Sequence, residues 1–240
     1  MTTILRVDGI SKSFDGLKAL SNVSFDVEEG SIFGLMGANG AGKTTLFAII
    51  AGQVRPSGGT VSFRNQILTG RRPDHICRMG ICRTFQIVRP FAGITVLDNV
   101  VVSALYGASS GHSPRAARDA ALAALETVGL ADAADRPAGS LTLSGQKRLE
   151  IARALATGAE LILLDEVMAG LTPTEVTTMI ATLAELRRSR GLTFILVEHV
   201  MDALMQLSDR ILALEQGTPI AIGTPAEIAE NEDVLKVYFG

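Results

Sequence analysis

Little in this sequence points toward nucleic acid, lipid or an oxidising environment. Acidic and basic residues nearly balance, with a formal net charge of −3. Neutralising a phosphate backbone needs a dense basic patch, so the charge argues against a mainly nucleic-acid-binding surface. The Arg-rich run from Arg71 to Arg89 is the only stretch of that kind. Phe85 is its one aromatic, so the run reads as solvated or subunit-facing surface rather than a stacking platform. No apolar run approaches the roughly 18 residues needed to cross a bilayer. "MTTILRVDGI" lacks the basic start and cleavage region of a secretory signal, and the expectation is a chain that stays in the cytoplasm. Two cysteines, Cys77 and Cys82, are too few for a disulfide framework and are expected as free thiols. His75 lies beside them in "HICRMGIC", but no fourth ligand completes a zinc set. His112, in a Gly/Ser-rich loop, reads as solvated. There is no internal repeat, low-complexity tract or long linker.

What is present suits one α/β domain: 240 residues, 47% of them hydrophobic, supply ample core. Residues 3–36 alternate apolar and polar side chains in short runs. In "VSFDVEEG", Val23, Phe25 and Val27 share one face, which is strand periodicity. The pattern returns with Val61 and Phe63 after the turn signal "RPSGG". The middle of the chain reads as helix, in "TVLDNVVVSALYG" and in "SPRAARDAALAALETVGL", where Ser113 is the expected cap, Pro114 the first turn and Gly129 the end. From residue 149 onward, helix-length segments alternate with "LILLD", "FILVEH" and "ILALEQG", short apolar runs of the kind found in buried parallel strands. We therefore expect a discontinuous domain: a β lobe and core over residues 1–87 and 149–240, with a helical insert at about 88–148.

"GANGAGKTT", comprising Gly37, Ala38, Asn39, Gly40, Ala41, Gly42, Lys43, Thr44 and Thr45, fits G-x-x-x-x-G-K-[ST] without a gap. It follows the apolar "SIFGLM" and precedes the helical "TLFAIIAG", the context that motif requires. Glycines let the backbone curl its N–H groups around phosphate oxygens, and the helix start adds about half a positive charge. Lys43 would reach the β and γ phosphates, and the Thr44 hydroxyl would ligate Mg2+. Kinases, GTPases and motor ATPases share such a loop, so it does not choose among them.

Asp165 and Glu166 end the apolar run "LILLDE", where open α/β sheets bind ligands. Asp165 is placed to hold the hydration shell of the magnesium ion. Glu166, one residue further out, can orient and deprotonate a water attacking the γ phosphate. "FILVEH" ends another apolar run in His199, where an imidazole could touch the γ phosphate. Gln86 in "RTFQ" ends a short strand and could sense magnesium or the attacking water as it opens the helical insert.

In this order, these pieces resemble the ATP-binding subunit of ATP-binding-cassette (ABC) transporters over nearly the whole chain. The resemblance implies an α/β P-loop NTPase fold of the ABC ATPase type. That fold has a mostly parallel core sheet, an N-terminal antiparallel β subdomain and a helical subdomain insert. It makes Gln86 the Q-loop residue, Glu166 the catalytic glutamate, His199 the switch histidine and Phe14, in "SKSFDGLKAL", the ring that stacks on adenine. Within the family, "ITVLDNV", "LTPTE", "LVEHVMDAL" and "DVLKVYFG" look most like branched-chain amino-acid uptake subunits, with lipopolysaccharide-export and urea or amide uptake subunits as close alternatives. The implied partners are membrane-spanning permease subunits, a second ATP-binding subunit in a homodimer or paralogous heterodimer, and indirectly a substrate-binding protein. The implied location is the inner face of the cell membrane. A GTPase would want N-K-x-D, which is absent. A kinase would leave residues 141–155 unexplained. Non-transport cassettes acting on nucleic acid or ribosomes carry insertions, or a second cassette, that this chain lacks.

The family signature L-S-G-G-Q opens a helix that serves the nucleotide of the opposite subunit. By eye, "LSGQ" at Leu143 to Gln146 is that motif with a glycine missing. The helix "RLEIARAL" fixes another frame, because the interval from Arg148 to Asp165 is the family's usual one. In that frame Thr142 takes the place of the signature serine, while Leu143 and Ser144 take those of its glycines. Choosing Ser144 instead would start the helix two residues later and turn its faces by about 200°. Thr142 is therefore favoured as the hydroxyl that meets phosphate, with Ser144 the other candidate, and either could simply cap the helix. Two such chains would meet head to tail around two ATP molecules. Two departures stand out: Val167 replaces the proline of D-E-P, and Thr172 stands where the D-loop carries aspartate. With the altered signature, Thr172 suggests an asymmetric heterodimer in which a partner with a fuller signature serves this chain's cradle.

Overall fold

The computed structural model describes residues 2–84, 88–108 and 113–239. Along the chain come β1 (Thr3–Phe14), β2 (Leu17–Glu28), β3 (Ile32–Gly37), α1 (Lys43–Ile50), β4 (Gly58–Phe63) and β5 (Gln66–Ile67). There follow α2 (Pro73–Arg78), β6 (Ile81–Arg83), α3 (Val96–Tyr106), α4 (Pro114–Thr127), α5 (Leu143–Ala156) and β7 (Leu161–Asp165). The chain closes with α6 (Pro173–Arg190), β8 (Thr193–Val197), α7 (Met201–Leu207), β9 (Arg210–Glu215), β10 (Thr218–Gly223), α8 (Pro225–Glu230) and α9 (Glu232–Phe239). These elements fall into two compact units, Met1–Pro73 with Ala184–Gly240 and Asp74–Leu183.

The first unit holds two layers of sheet. In one, β1 lies between β2 and β4, antiparallel to both, with β5 on the outer side of β4. The β1–β2 hairpin turns at Asp15 and Gly16, both at positive φ (46° and 90°), the geometry a tight two-residue turn requires. Alternation along β2 buries Val23, Phe25 and Val27. The other layer centres on β3, which runs parallel to β8 on one side and β9 on the other, with β10 returning antiparallel against β9. All six residues of β3 are buried, as expected of a strand covered on both faces. The layers meet where the Phe25 and Phe33 rings stack, their centroids 4.8 Å apart.

In the second unit β6 and β7 pair in parallel, with Arg83 opposite Leu163. Helices α3, α4 and α5 pack on one another. Ser113 caps α4 by accepting the Ala116 N–H at 3.3 Å, Pro114 follows, and Gly129 beyond the helix takes φ 66°. Ala117, Ala121, Ala124 and Leu125 form the buried stripe of α4 at helical spacing. Cys77 and Cys82 are both free.

Candidate functional site

In the first unit the glycine-rich loop leaves the end of β3 and enters α1. Gly40 and Gly42 have φ of 83° and 98°, backbone that L residues resist. Gly42 stands at the N-cap of α1, which has no side-chain cap and no acidic residue in its first turn. Neither a capping side chain nor a first-turn carboxylate of α1 therefore offsets the positive end of that helix. Lys43 is buried at 7% exposure, and its Nζ donates to the carbonyls of Gly37 (2.5 Å) and Ala38 (3.1 Å). The ammonium is therefore folded into the loop. Ala38, Asn39, Gly40 and Thr44 are exposed, so the loop surface and the Thr44 hydroxyl are open to solvent. Left-handed glycines, a folded-in cation and a helix start without a side-chain cap are together able to hold an anion.

Two other candidates share this unit. Phe14, at the end of β1, is 44% exposed and carries Lys12 Nζ 4.6 Å from its ring centroid, a cation–π contact. His199 is exposed and lies outside the strand it was expected to end: β8 stops at Val197 and buried Glu198 intervenes. Gln86 lies outside the described residues.

In the second unit, Asp165 ends β7 at 3% exposure, and its Oδ2 accepts from Nη2 of Arg83, the last residue of β6, at 2.7 Å. The pair is nearly dry, so each charge depends on the other. Glu166 is half-buried with φ 52°, in the left-handed region. Its carbonyl accepts from Lys147 Nζ at 2.6 Å and from the Ala169 N–H at 3.3 Å. A proline at 167 would push the residue before it toward extended backbone, and Val167 leaves the left-handed turn accessible.

The start of α5 assigns the two hydroxyls different partners. Helix α5 begins at Leu143, as the frame set by Arg148 requires, and Thr142 is its N-cap, accepting the Gly145 N–H at 3.2 Å. The Ser144 hydroxyl lies beside the Glu175 carboxylate, which accepts from the backbone N–H and the hydroxyl of Thr172, both at 2.9 Å. These bonds, the backbone N–H of Thr172 foremost, hold the Glu175 carboxyl below its ordinary range. Thr142, Ser144, Arg148 and Glu175 border a cavity of about 200 Å³. Thr172 thus caps α6 in a T-P-x-E capping box. The same box opens α8 at Thr224 and Glu227. Both boxes were readable from "TPTE" and "TPAE". The roles of Arg83 and Lys147 carried no local signal in the sequence.

The structure thus gathers the cradle, Phe14 and His199 in the first unit, and Asp165, Glu166, Thr142 and Ser144 in the second. The ABC transporter family model matches residues 20–169. The high-affinity branched-chain amino acid transport ATP-binding protein LivG of Salmonella typhimurium is 41% identical over 99% of this chain and 98% of its own. A crystal structure of a nucleotide-free ATP-binding cassette from an ABC transporter superposes with a TM-score of 0.89 at 31% identity, over the full length of both chains. A dimeric post-hydrolysis ATP-binding cassette bound to ADP and Pi gives a TM-score of 0.83 at 25% identity, over 92% of this chain and 99% of that one.

Proposed function

The chain belongs to the ABC transporter family, as an ATPase whose hydrolysis is coupled to transport, and we propose that it energises uptake of branched-chain amino acids through membrane-spanning permease subunits. The single observation that carries the nucleotide assignment is the cradle: left-handed Gly40 and Gly42, the uncapped start of α1 and the folded-in Lys43 ammonium. The LivG likeness over nearly the whole of both chains supports the cargo class.

In this reading the residues from Gly37 to Thr45 bind the triphosphate through backbone N–H groups, and Lys43 turns from the Gly37 and Ala38 carbonyls to the β and γ phosphates. Phe14 stacks on adenine. The Thr44 hydroxyl and the Asp165 carboxylate are each a hard oxygen donor of the kind Mg2+ takes, an ion usually held by one or two protein groups together with phosphate. When bound, that ion neutralises charge building on the phosphate oxygens. Glu166 orients and deprotonates the attacking water, a role typically worth about 10²- to 10⁴-fold in rate. Gln86 and His199 report the state of the γ phosphate. Thr142, at the start of α5, serves the nucleotide of a second ATP-binding subunit, so ATP holds two subunits together and its hydrolysis releases them. No helix among the described residues is long and apolar enough to cross a membrane, and in this reading the permease brings the chain to the inner face.

The test is ATP turnover and labelled leucine uptake in vesicles carrying the chain with its co-purified permease. Glu166→Gln should lower turnover by about two to four orders of magnitude while ATP is still bound. Uptake that continues unchanged in that variant, or turnover with no leucine uptake, would refute the assignment.

A further inference from the structure

Helix α5 and the segment after β7 are joined at three places, and one of them acts on the backbone of Glu166. The Ser144 hydroxyl lies beside the Glu175 carboxylate, as described. Leu143 packs so closely on Gly170 that a Cβ there would lie 3.0 Å from Leu143 Cδ2. Lys147, one turn along the same face of α5, sends its Nζ to the Glu166 carbonyl at 2.6 Å. Lys147 is only 4% exposed. A lysine this buried loses hydration and side-chain entropy, which its stem contacts and charge-assisted bond must offset. The bond falls on a non-glycine residue at φ 52°, a conformation that persists only where its surroundings enforce it.

We propose that Lys147 is a positioning residue for hydrolysis. It fixes the left-handed turn from which the Glu166 carboxylate projects, and so ties that carboxylate to the helix whose start meets the second subunit's nucleotide. This rests on the reading of Glu166 as the base and of the α5 start as the contact with the neighbouring nucleotide. Leu143 and Lys147 lie on one face and both touch residues 166–170, so a small displacement of α5 on engaging phosphate is transmitted to the backbone of Glu166.

The experiment measures kcat, KM and the Kd of a fluorescent ATP analogue for the full chain in its reconstituted complex. Lys147→Met keeps the stem and removes the donor. It should lower kcat about 10- to 100-fold, the size of effect that small misplacement of a catalytic group produces, with nucleotide affinity changed less than about twofold. Lys147→Arg should recover most of the lost rate, because it restores a buried cationic donor. In a Glu166→Gln background Lys147→Met should lower the single-turnover rate no further, since residues that act through one another are not additive. Unchanged kcat in folded Lys147→Met overturns the proposal, as does affinity falling in step with kcat. Should Lys147→Met fail to fold, Lys147→Leu, which also lacks a donor, carries the same test. Wild-type turnover in Glu166→Gln overturns the base assignment and this proposal together. A silent Lys147→Met beside an inactive Glu166→Gln overturns only the coupling.

Discussion

Two glycines of the cradle share a backbone conformation and differ in what surrounds them, which allows the loop geometry to be tested by substitution. Gly40 and Gly42 both lie at left-handed φ, 83° and 98°. A Cβ at Gly40 would meet nothing within 4 Å, whereas one at Gly42 would lie 2.6 Å from the Ala19 carbonyl oxygen and 2.7 Å from Leu20 Cδ2. The carbonyl belongs to strand β2 and cannot swing aside as a side-chain tip could. Gly40→Ala therefore incurs only the dihedral cost, about 1–2 kcal/mol. Gly42→Ala incurs the same cost plus about 1–3 kcal/mol of overpacking, so it should be the worse of the two by roughly that second amount. For a chain of this size 1 kcal/mol moves Tm by about 2–4 °C, and the gap is measurable by thermal and urea denaturation of the two variants side by side. Saturating ATP with magnesium should raise Tm in the wild type and in Gly40→Ala. It should raise Tm less in Gly42→Ala, whose strained N-cap displaces the start of α1. Equal losses, or a larger loss in Gly40→Ala, would refute the loop geometry on which the nucleotide assignment stands.

Arg83→Met should cost about 3–5 kcal/mol in urea unfolding, because it leaves the Asp165 carboxylate buried without its guanidinium; a loss below about 1 kcal/mol would mean that water reaches the pair. Glu175 gives a pH signature. Its carboxyl is held below the ordinary value of 4.5, chiefly by the Thr172 backbone N–H, so its stabilising contribution is complete above that value and is lost as pH falls through the lower folded value. Melting temperatures of wild type and Glu175→Gln should accordingly converge on acidification, and a gap that stays constant to pH ~3 would show that Glu175 titrates normally.

The parts of this fold that were legible in the sequence are those encoded by neighbouring residues. The cradle is a run of adjacent residues, and the six buried residues of β3 before it, like the five of β7, read as short unbroken apolar runs. Ser113, Pro114 and Gly129 marked their helix for the same reason. Strand ends were less sharp, because an apolar run does not state where backbone pairing stops: "FILVEH" continues apolar to Val197, yet the strand leaves Glu198 and His199 outside. The partner of Asp165 was invisible, since Arg83 reaches it through the register of β6 against β7, across 82 positions of chain. The left-handed Glu166 was equally hidden, for glycine is the usual marker of such a turn and this position is not one.

The two helix starts assigned to phosphate differ in a way that bears on which hydroxyl of α5 can act. At α1 the cap is a glycine without a side chain, so the first-turn donors are left to the ligand. At α5 Thr142 already accepts the Gly145 N–H. A hydroxyl has two acceptor lone pairs and one proton, so accepting that bond leaves the Thr142 proton free to point away from the helix toward a phosphate oxygen. Ser144 stands in the reverse situation. The ionised Glu175 carboxylate beside it only accepts, and so competes for its single proton. Capping and phosphate contact are thus compatible functions for Thr142, whereas at Ser144 a nucleotide would compete with the Glu175 carboxylate for the one proton.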